Sequence, residues 1–219
     1  MQAIFPFGRA AVVVVALCLA ALSGQAQQVI FSNLGAGDSY DASLAYNVKG
    51  PAAFGERQYV ANTFIPTGSD YQLSKIELPL ALVGGVDQVD VRLMTDDGGL
   101  PGTTLESFTL TGLPADPGQM LTATSTLHPV LHQGTDYWCA ITPAGDTQAH
   151  WFLNNTGSTG PCAENTLGLW ALMDTPQTQG AFMVEGAPVR GILDTPEPGP
   201  LAVATGAILA GAAYRRRRR

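Results

Sequence analysis

Ile76-Glu77-Leu78-Pro79-Leu80-Ala81-Leu82-Val83-Gly84-Gly85-Val86-Asp87-Gln88-Val89-Asp90-Val91-Arg92-Leu93 carries the fold in its spacing. Ile76, Leu78, Leu80 and Leu82 alternate with Glu77, Pro79 and Ala81. After Gly84-Gly85, Val89, Val91 and Leu93 alternate with Asp90 and Arg92. A period of two with one apolar face predicts two half-buried strands joined by a turn. The same pattern returns at Tyr137, Cys139 and Ile141, with Trp138 and Ala140 on the other side. Turn-forming clusters separate such runs at short intervals: Asp96-Asp97-Gly98-Gly99, Pro101-Gly102, Pro114-Ala115-Asp116-Pro117-Gly118, Gly134-Thr135-Asp136 and Ala144-Gly145-Asp146. Residues 27–193 show no window of sustained helical periodicity. Short strands punctuated by Gly, Pro and Asp predict an all-β, antiparallel β-sandwich, jelly-roll-like in topology.

The two ends of the 219-residue chain read differently. Arg9 precedes an unbroken apolar run of 13 residues, Ala10 to Leu22, followed by Ser23-Gly24-Gln25-Ala26. The run is shorter than the ~20 residues that span a bilayer. Small residues at Gly24 and Ala26 stand where signal peptidase cuts. Residues 1–26 are therefore expected to form a signal helix that is removed, leaving Gln27 as the mature start. Cys18 lies inside the run and goes with it.

At the other end, residues 194–219 combine three parts: Pro196-Glu197-Pro198, the apolar stretch Leu201 to Tyr214, and Arg215, Arg216, Arg217, Arg218 and Arg219. Proline holds the motif extended, as a protease groove requires. A helix over 201–214 would rise only ~21 Å against a hydrocarbon layer of ~30 Å. Arginine stems reach part of the way, and the positive charges stay cytoplasmic, leaving the body outside. The order of these parts resembles the PEP-CTERM sorting domain. That resemblance implies recognition of Pro196, Glu197 and Pro198 by an exosortase-type membrane protease or transpeptidase, after a transient stay in the inner membrane. The protein would then be cell-surface or extracellular. Gly199-Pro200 departs from the Ser/Thr common after the family's motif.

The body between the ends is acidic. Five basic residues (Lys49, Arg57, Lys75, Arg92 and Arg190) against sixteen acidic ones leave a net charge of −11, more negative than the −7 of the whole chain. Without a basic stripe it is a poor partner for nucleic acid. Val89-Asp90-Val91-Arg92-Leu93-Met94-Thr95-Asp96-Asp97-Gly98-Gly99-Leu100-Pro101-Gly102-Thr103-Thr104-Leu105 is similar to a stretch of extracellular "choice-anchor" domains. Thr135-Asp136-Tyr137-Trp138 and Asn62-Thr63-Phe64 fit the same kind of domain. The resemblance implies a surface β-sandwich paired with a sorting tail, and brings no activity with it.

Candidate chemistry in the body is sparse. Cys139 and Cys162 are an even pair in an oxidising compartment, and a bridge between them would close a loop of about 22 residues worth ~3 kcal/mol. The alternative is one buried thiol and one loose one. His128 and His132 flank Pro129, so they do not form a helical metal face, and no HExxH or Cys/His cluster implies a metal or cofactor. Asp96-Asp97 reads as a hairpin turn rather than a Ca²⁺ loop. Asn154-Asn155-Thr156 matches the glycosylation triplet. Trp138 and Trp151, with Trp170, Tyr137 and Phe152 nearby in sequence, offer a possible sugar-stacking platform. No nucleophile elbow, phosphate loop or singled-out carboxylate pair is present. The expectation is a non-enzymatic exported protein associated with exopolysaccharide, with a carbohydrate-binding module as the alternative and a secreted glycan hydrolase behind it.

Overall fold

The computed structural model describes residues 26–52, 57–174 and 176–189. The expected signal helix up to residue 25, the sorting motif, the 201–214 helix and the five terminal arginines lie outside the described residues. Within them the chain is all-β.

In chain order the strands are β1 (Gln28–Ser32), β2 (Asp41–Lys49), β3 (Tyr59–Phe64), β4 (Tyr71–Gly84) and β5 (Val89–Asp96). Then come β6 (Pro101–Leu110), β7 (Gln119–Thr124), β8 (Val130–Leu131), β9 (Tyr137–Pro143) and β10 (Gln148–Leu153). The last five are β11 (Thr159–Gly160), β12 (Cys162–Asn165), β13 (Trp170–Leu172), β14 (Gln177–Thr178) and β15 (Met183–Pro188). One sheet has the order β13-β12-β3-β9-β5-β6. The other large sheet is organised around β4, which pairs with β15, β10, β7 and β8, while β1 and β2 extend it as edges, and β11 pairs with β14 in a separate two-stranded sheet. Lys75 to Glu77 pair with both β15 and β7, and Leu80 pairs with both β10 and β7. So β15 and β10 lie end to end on one side of β4, with β7 on the opposite side.

The strands predicted from alternation fall where expected, and the burial pattern explains them. Ile76, Leu78 and Leu80 are buried, with Leu82 packed beside them. Tyr71 and Leu73 join the same core although their parity is odd, because the register against β15 shifts between Leu73 and Lys75. A bulge of this kind moves every later side chain to the other face unless the sequence shifts with it. Pro79 sits in a central strand, where proline normally fails. Here it falls between the residues paired with β15 (71–77) and those paired with β10 (80–84), where no ladder bond is lost on that side.

Val89, Val91 and Leu93 from β5, Val60 and Phe64 from β3, and Tyr137, Cys139 and Ile141 from β9 meet Leu73, Leu80, Trp151, Phe182 and Val184 in one core. Two antiparallel sheets sharing one core is a sandwich-like arrangement. All seven residues of β9 are buried, on both faces. On its outward face Trp138 and Ala140 join Ala61, Met94 and Ala163 in a second cluster, against which Leu100 and Trp170 pack.

Buried amides tie the 154–182 segment to this frame. Asn33 donates to Gly180 O at 2.8 Å and accepts from Phe182 N at 2.8 Å. Asn62 Oδ1 accepts from Gly180 N at 2.6 Å, and Gln179 Nε2 donates to Thr63 O at 2.9 Å. Among the described residues no buried side-chain nitrogen or oxygen lacks a partner. Such satisfied networks favour a single arrangement of irregular chain, because every alternative leaves an amide unpaired.

Both residues of the expected sugar platform are corrected by this packing. Trp138 and Trp151 have no exposed surface. Trp151 donates from Nε1 to Ala181 O at 2.9 Å and meets Phe182 edge-on at 6.0 Å. Gly180 is the residue that lets it fit: a Cβ there would come within 2.4 Å of the indole. Trp138 donates to Asp96 Oδ1 at 2.8 Å. With faces covered and N–H groups used internally, neither ring is free to stack on a ligand.

The expected Cys139–Cys162 bridge is also corrected: both thiols are free and buried. Cys139 in β9 and Cys162 in β12 pair with the same residue, Asn62, from opposite sides of β3. Two strand spacings separate their backbones by about 10 Å, beyond the roughly 7 Å a disulfide can bridge. The Asn62 amide stands between them and donates to Cys162 Sγ at 2.9 Å.

Candidate functional site

With Trp138, Trp151, Cys139 and Cys162 in the interior, surface chemistry rests on other residues. Loop 111–118 joins β6 to β7 and lies against the outer face of the β4 sheet, where Leu82 N donates to Pro114 O at 2.7 Å. Gly118 adopts φ +79° and approaches Phe152 so closely that a Cβ would stand 2.4 Å from the ring. Tyr40 completes the cover, its ring 5.5 Å from Phe152 and its hydroxyl donating to Gly118 O at 3.1 Å.

Beside this cover, the edge strand β2 departs from β10. Ala45 pairs with Phe152 but Leu153 pairs with Asp41, so Ala42, Ser43 and Leu44 form an outward bulge. Leu44 is left 56% exposed. The bulge, Ala45, Asp116, His150 and Phe152 enclose a hollow of about 260 Å³. His150 holds its polar wall: Nδ1 lies 3.4 Å from Asp116 Oδ1 and Nε2 lies 3.1 Å from Asn47 Oδ1. Its ring stands edge-on to Phe152 at 6.0 Å.

This arrangement sets an imidazole and a carboxylate beside a small apolar floor, with the Asn47 amide bonded behind the imidazole. It does not assemble a hydrolytic relay. Ser43 lines the same hollow but donates its hydroxyl proton to Asp41 Oδ1 at 2.6 Å. That bond, with the Ser43 N–H, holds the Asp41 carboxyl below its usual range. Sequence spacing carries no sign of the hollow, since Asp116, His150 and Asn47 come from three separate elements.

The other candidates noted from sequence are structural. Asp96 accepts from Gly99 N at 2.9 Å as well as from Trp138, which makes it the brace of its hairpin turn. His128 reaches Leu73 O at 2.9 Å and His132 reaches Asp70 Oδ2 at 2.9 Å, each serving a different stretch of chain. Among the described residues no group of three His, Cys, Asp or Glu side chains could hold a metal ion. Asn154 of the glycosylation triplet is buried. Its amide donates to Ser158 O and Gln179 O, while its oxygen accepts from Thr156 and Ser158. A transferred glycan would have to break those bonds.

A second opening, about 330 Å³, runs along the seam where β6 of one sheet meets β7 of the other. Ser107, Thr109, Thr122 and Thr124 line it above Phe108 and Ala123. Next to it in β6, Glu106 pins the 125–127 turn to that strand.

The thiols make a direct check on this packing. Burial pushes the Cys139 thiol up to about 12, and it also raises Cys162 against the opposing hydrogen bond from Tyr46. Thiolate is the reactive form. Alkylation at mildly alkaline pH is therefore expected to leave both cysteines unmodified in the native protein and to label both in urea without reductant. Failure to label the urea-unfolded, unreduced protein would restore the bridge.

No family model matches the chain, and no curated protein matches it.

Proposed function

We propose that the chain is a non-enzymatic exported protein, delivered to the cell surface or medium and processed through its C-terminal end by an exosortase-type enzyme. The observation that carries this reading is the three-part end of the sequence: Pro196-Glu197-Pro198, the apolar 201–214 stretch and Arg215 to Arg219. The 13-residue apolar run ending at Leu22, with Gly24 and Ala26 after it, supports export. An acidic body folded as two antiparallel sheets suits an extracellular module, and we read its topology as jelly-roll-like. Its partners on this reading are signal peptidase, the sorting enzyme and extracellular polysaccharide. A Glu197→Ala variant, expressed in the natural host, is expected to keep its terminal arginines and accumulate in the membrane fraction. Normal processing of that variant would sink the sorting assignment.

The hollow beside β2 favours carbohydrate binding as the second reading, with the ligand held by hydrogen bonds rather than ring stacking. Retention on host exopolysaccharide is expected to fall on His150→Ala and on Asp116→Asn. Both side chains lie at the surface, so folding should survive. Retention unchanged in both variants would remove this hollow as the binding site.

A further inference from the structure

The hairpin formed by β12 and β13 projects an apolar tip. Leu167 is 85% exposed, Leu169 81% and Leu172 51%. From Asn165 to Met173 the sequence Asn-Thr-Leu-Gly-Leu-Trp-Ala-Leu-Met contains no charge and no proline. An edge strand in a soluble protein is normally guarded by one or the other. Large leucines held this far into water mark a contact surface rather than chance exposure.

The tip is held in shape. Gly168 has φ +98° and donates its N–H to Asn165 Oδ1 at 2.8 Å, and Asn165 itself is buried. Trp170 lies opposite Asn165 in the register, half-buried against the outer cluster that contains Trp138 and Ala163. The apolar tip therefore continues into the outer face of the β13-β12-β3 sheet.

Charge at the tip is also distinctive. The Arg57 guanidinium stands against Gly168, close enough that a Cβ there would lie 2.4 Å from Nη2. The same guanidinium sits 5.7 Å from the centre of the Tyr59 ring. Glu164, next along β12, alternates to the opposite face of its strand, and Asp174 lies beyond the far end of β13. Leucines, an arginine, a tryptophan and a tyrosine around one protruding turn combine the apolar, cationic and aromatic groups that a lipid interface accepts. The rest of the acidic body would be held off the phosphate layer, which leaves this hairpin as the element that enters.

From this geometry we infer that the β12–β13 hairpin docks on a phospholipid bilayer, seating Leu167 and Leu169 at the acyl boundary and Arg57 at the phosphates. Each leucine transferred strengthens partition at least about tenfold.

The test uses the full chain with vesicles of phosphatidylcholine brominated on its acyl chains. Segment 201–214 can hold the protein to a vesicle by itself, so the reading is taken from Trp170 rather than from binding. Trp138 and Trp151 are buried, which leaves Trp170 as the tryptophan that bromine can reach. Wild-type emission is expected to drop with bromolipid. The drop should vanish in Leu167→Asp/Leu169→Asp and in Trp170→Phe, with near-ultraviolet circular dichroism of the leucine variant unchanged. No bromolipid-dependent loss in the wild type, whether or not the protein floats with vesicles, overturns the inference. Equal loss in the leucine variant does the same. Lipid-free dimers that the leucine variant abolishes, with no quenching, would assign the face to a second copy of the chain instead.

Discussion

Trp151→Ala is expected to lower the unfolding free energy by about 3–5 kcal/mol, the usual cost of removing a large aromatic from a packed core. Trp151 has no exposed surface and spans the interior between Tyr46, at 6.4 Å, and Phe182, at 6.0 Å. Its removal leaves a cavity that Gly180, on the opposite wall, has no side chain to fill. It also strands the Ala181 carbonyl without its indole donor. Against a total of roughly 5–15 kcal/mol this is a large fraction, and a fall in melting temperature of about 10 °C or more should accompany it. Urea unfolding followed by circular dichroism measures the effect. A loss below about 1 kcal/mol would mean that the ring lies at the surface.

Glu106→Gln is expected to cost about 2–3 kcal/mol, although the exchange changes little in size. Glu106 is 4% exposed, and no cation pairs with it among the described residues. Burial is the largest single influence on its carboxyl and pushes it up. Donors from Ser125 Oγ, the Thr126 N–H and hydroxyl, and the Leu127 N–H together outweigh burial and hold it below the usual range. An amide supplies one acceptor and turns an NH₂ group toward the remaining donors. These bonds join β6 to the turn after β7, so the loss falls on a connection between the two sheets.

The pH dependence follows from the direction of the shift. A carboxyl lowered by folding contributes fully above its unfolded value of about 4.3, and that contribution disappears as pH falls through the lower folded value. The gap between wild type and Glu106→Gln in urea should therefore be fully open at neutral pH and should narrow as the pH falls below the usual carboxylate range. A gap that widens in acid would contradict the assigned bonding.

Period-two spacing located β4, β5 and β9 because each buries one face in a single core, and the Gly- and Asp-rich clusters marked their turns. Asp96 and Gly99 form the hairpin brace expected of such a cluster. The parity change at Tyr71 and Leu73 was not legible, since a bulge leaves no mark in composition. The double burial of β9 was hidden for a related reason. On its outer face Trp138 and Ala140 lie beside Ala61 and Ala163 of the neighbouring strands, and alanine gives no signal for either side.

The cysteine pairing failed on topology. Spacing along the chain says nothing of β3 lying between β9 and β12, and that intervening strand alone keeps the thiols apart. The tryptophans failed because alternation identifies two faces without saying whether the second is covered. The hollow at His150 depends on a bulge in β2 and a loop crossing from β6, neither of which a local pattern records. By contrast, the proposed end signals are runs of consecutive residues, so they are sought in the sequence itself and need no fold to assemble them.

The most direct test of the proposed route is the intact mass of the natural protein, taken separately from culture medium and from washed cells. The proposed route leads to a species that begins near Gln27, ends near Pro196-Glu197-Pro198, lacks the five arginines, and shows no loss of two hydrogens for a cystine. A species that retains Arg215 to Arg219 and occurs only in membranes would contradict it.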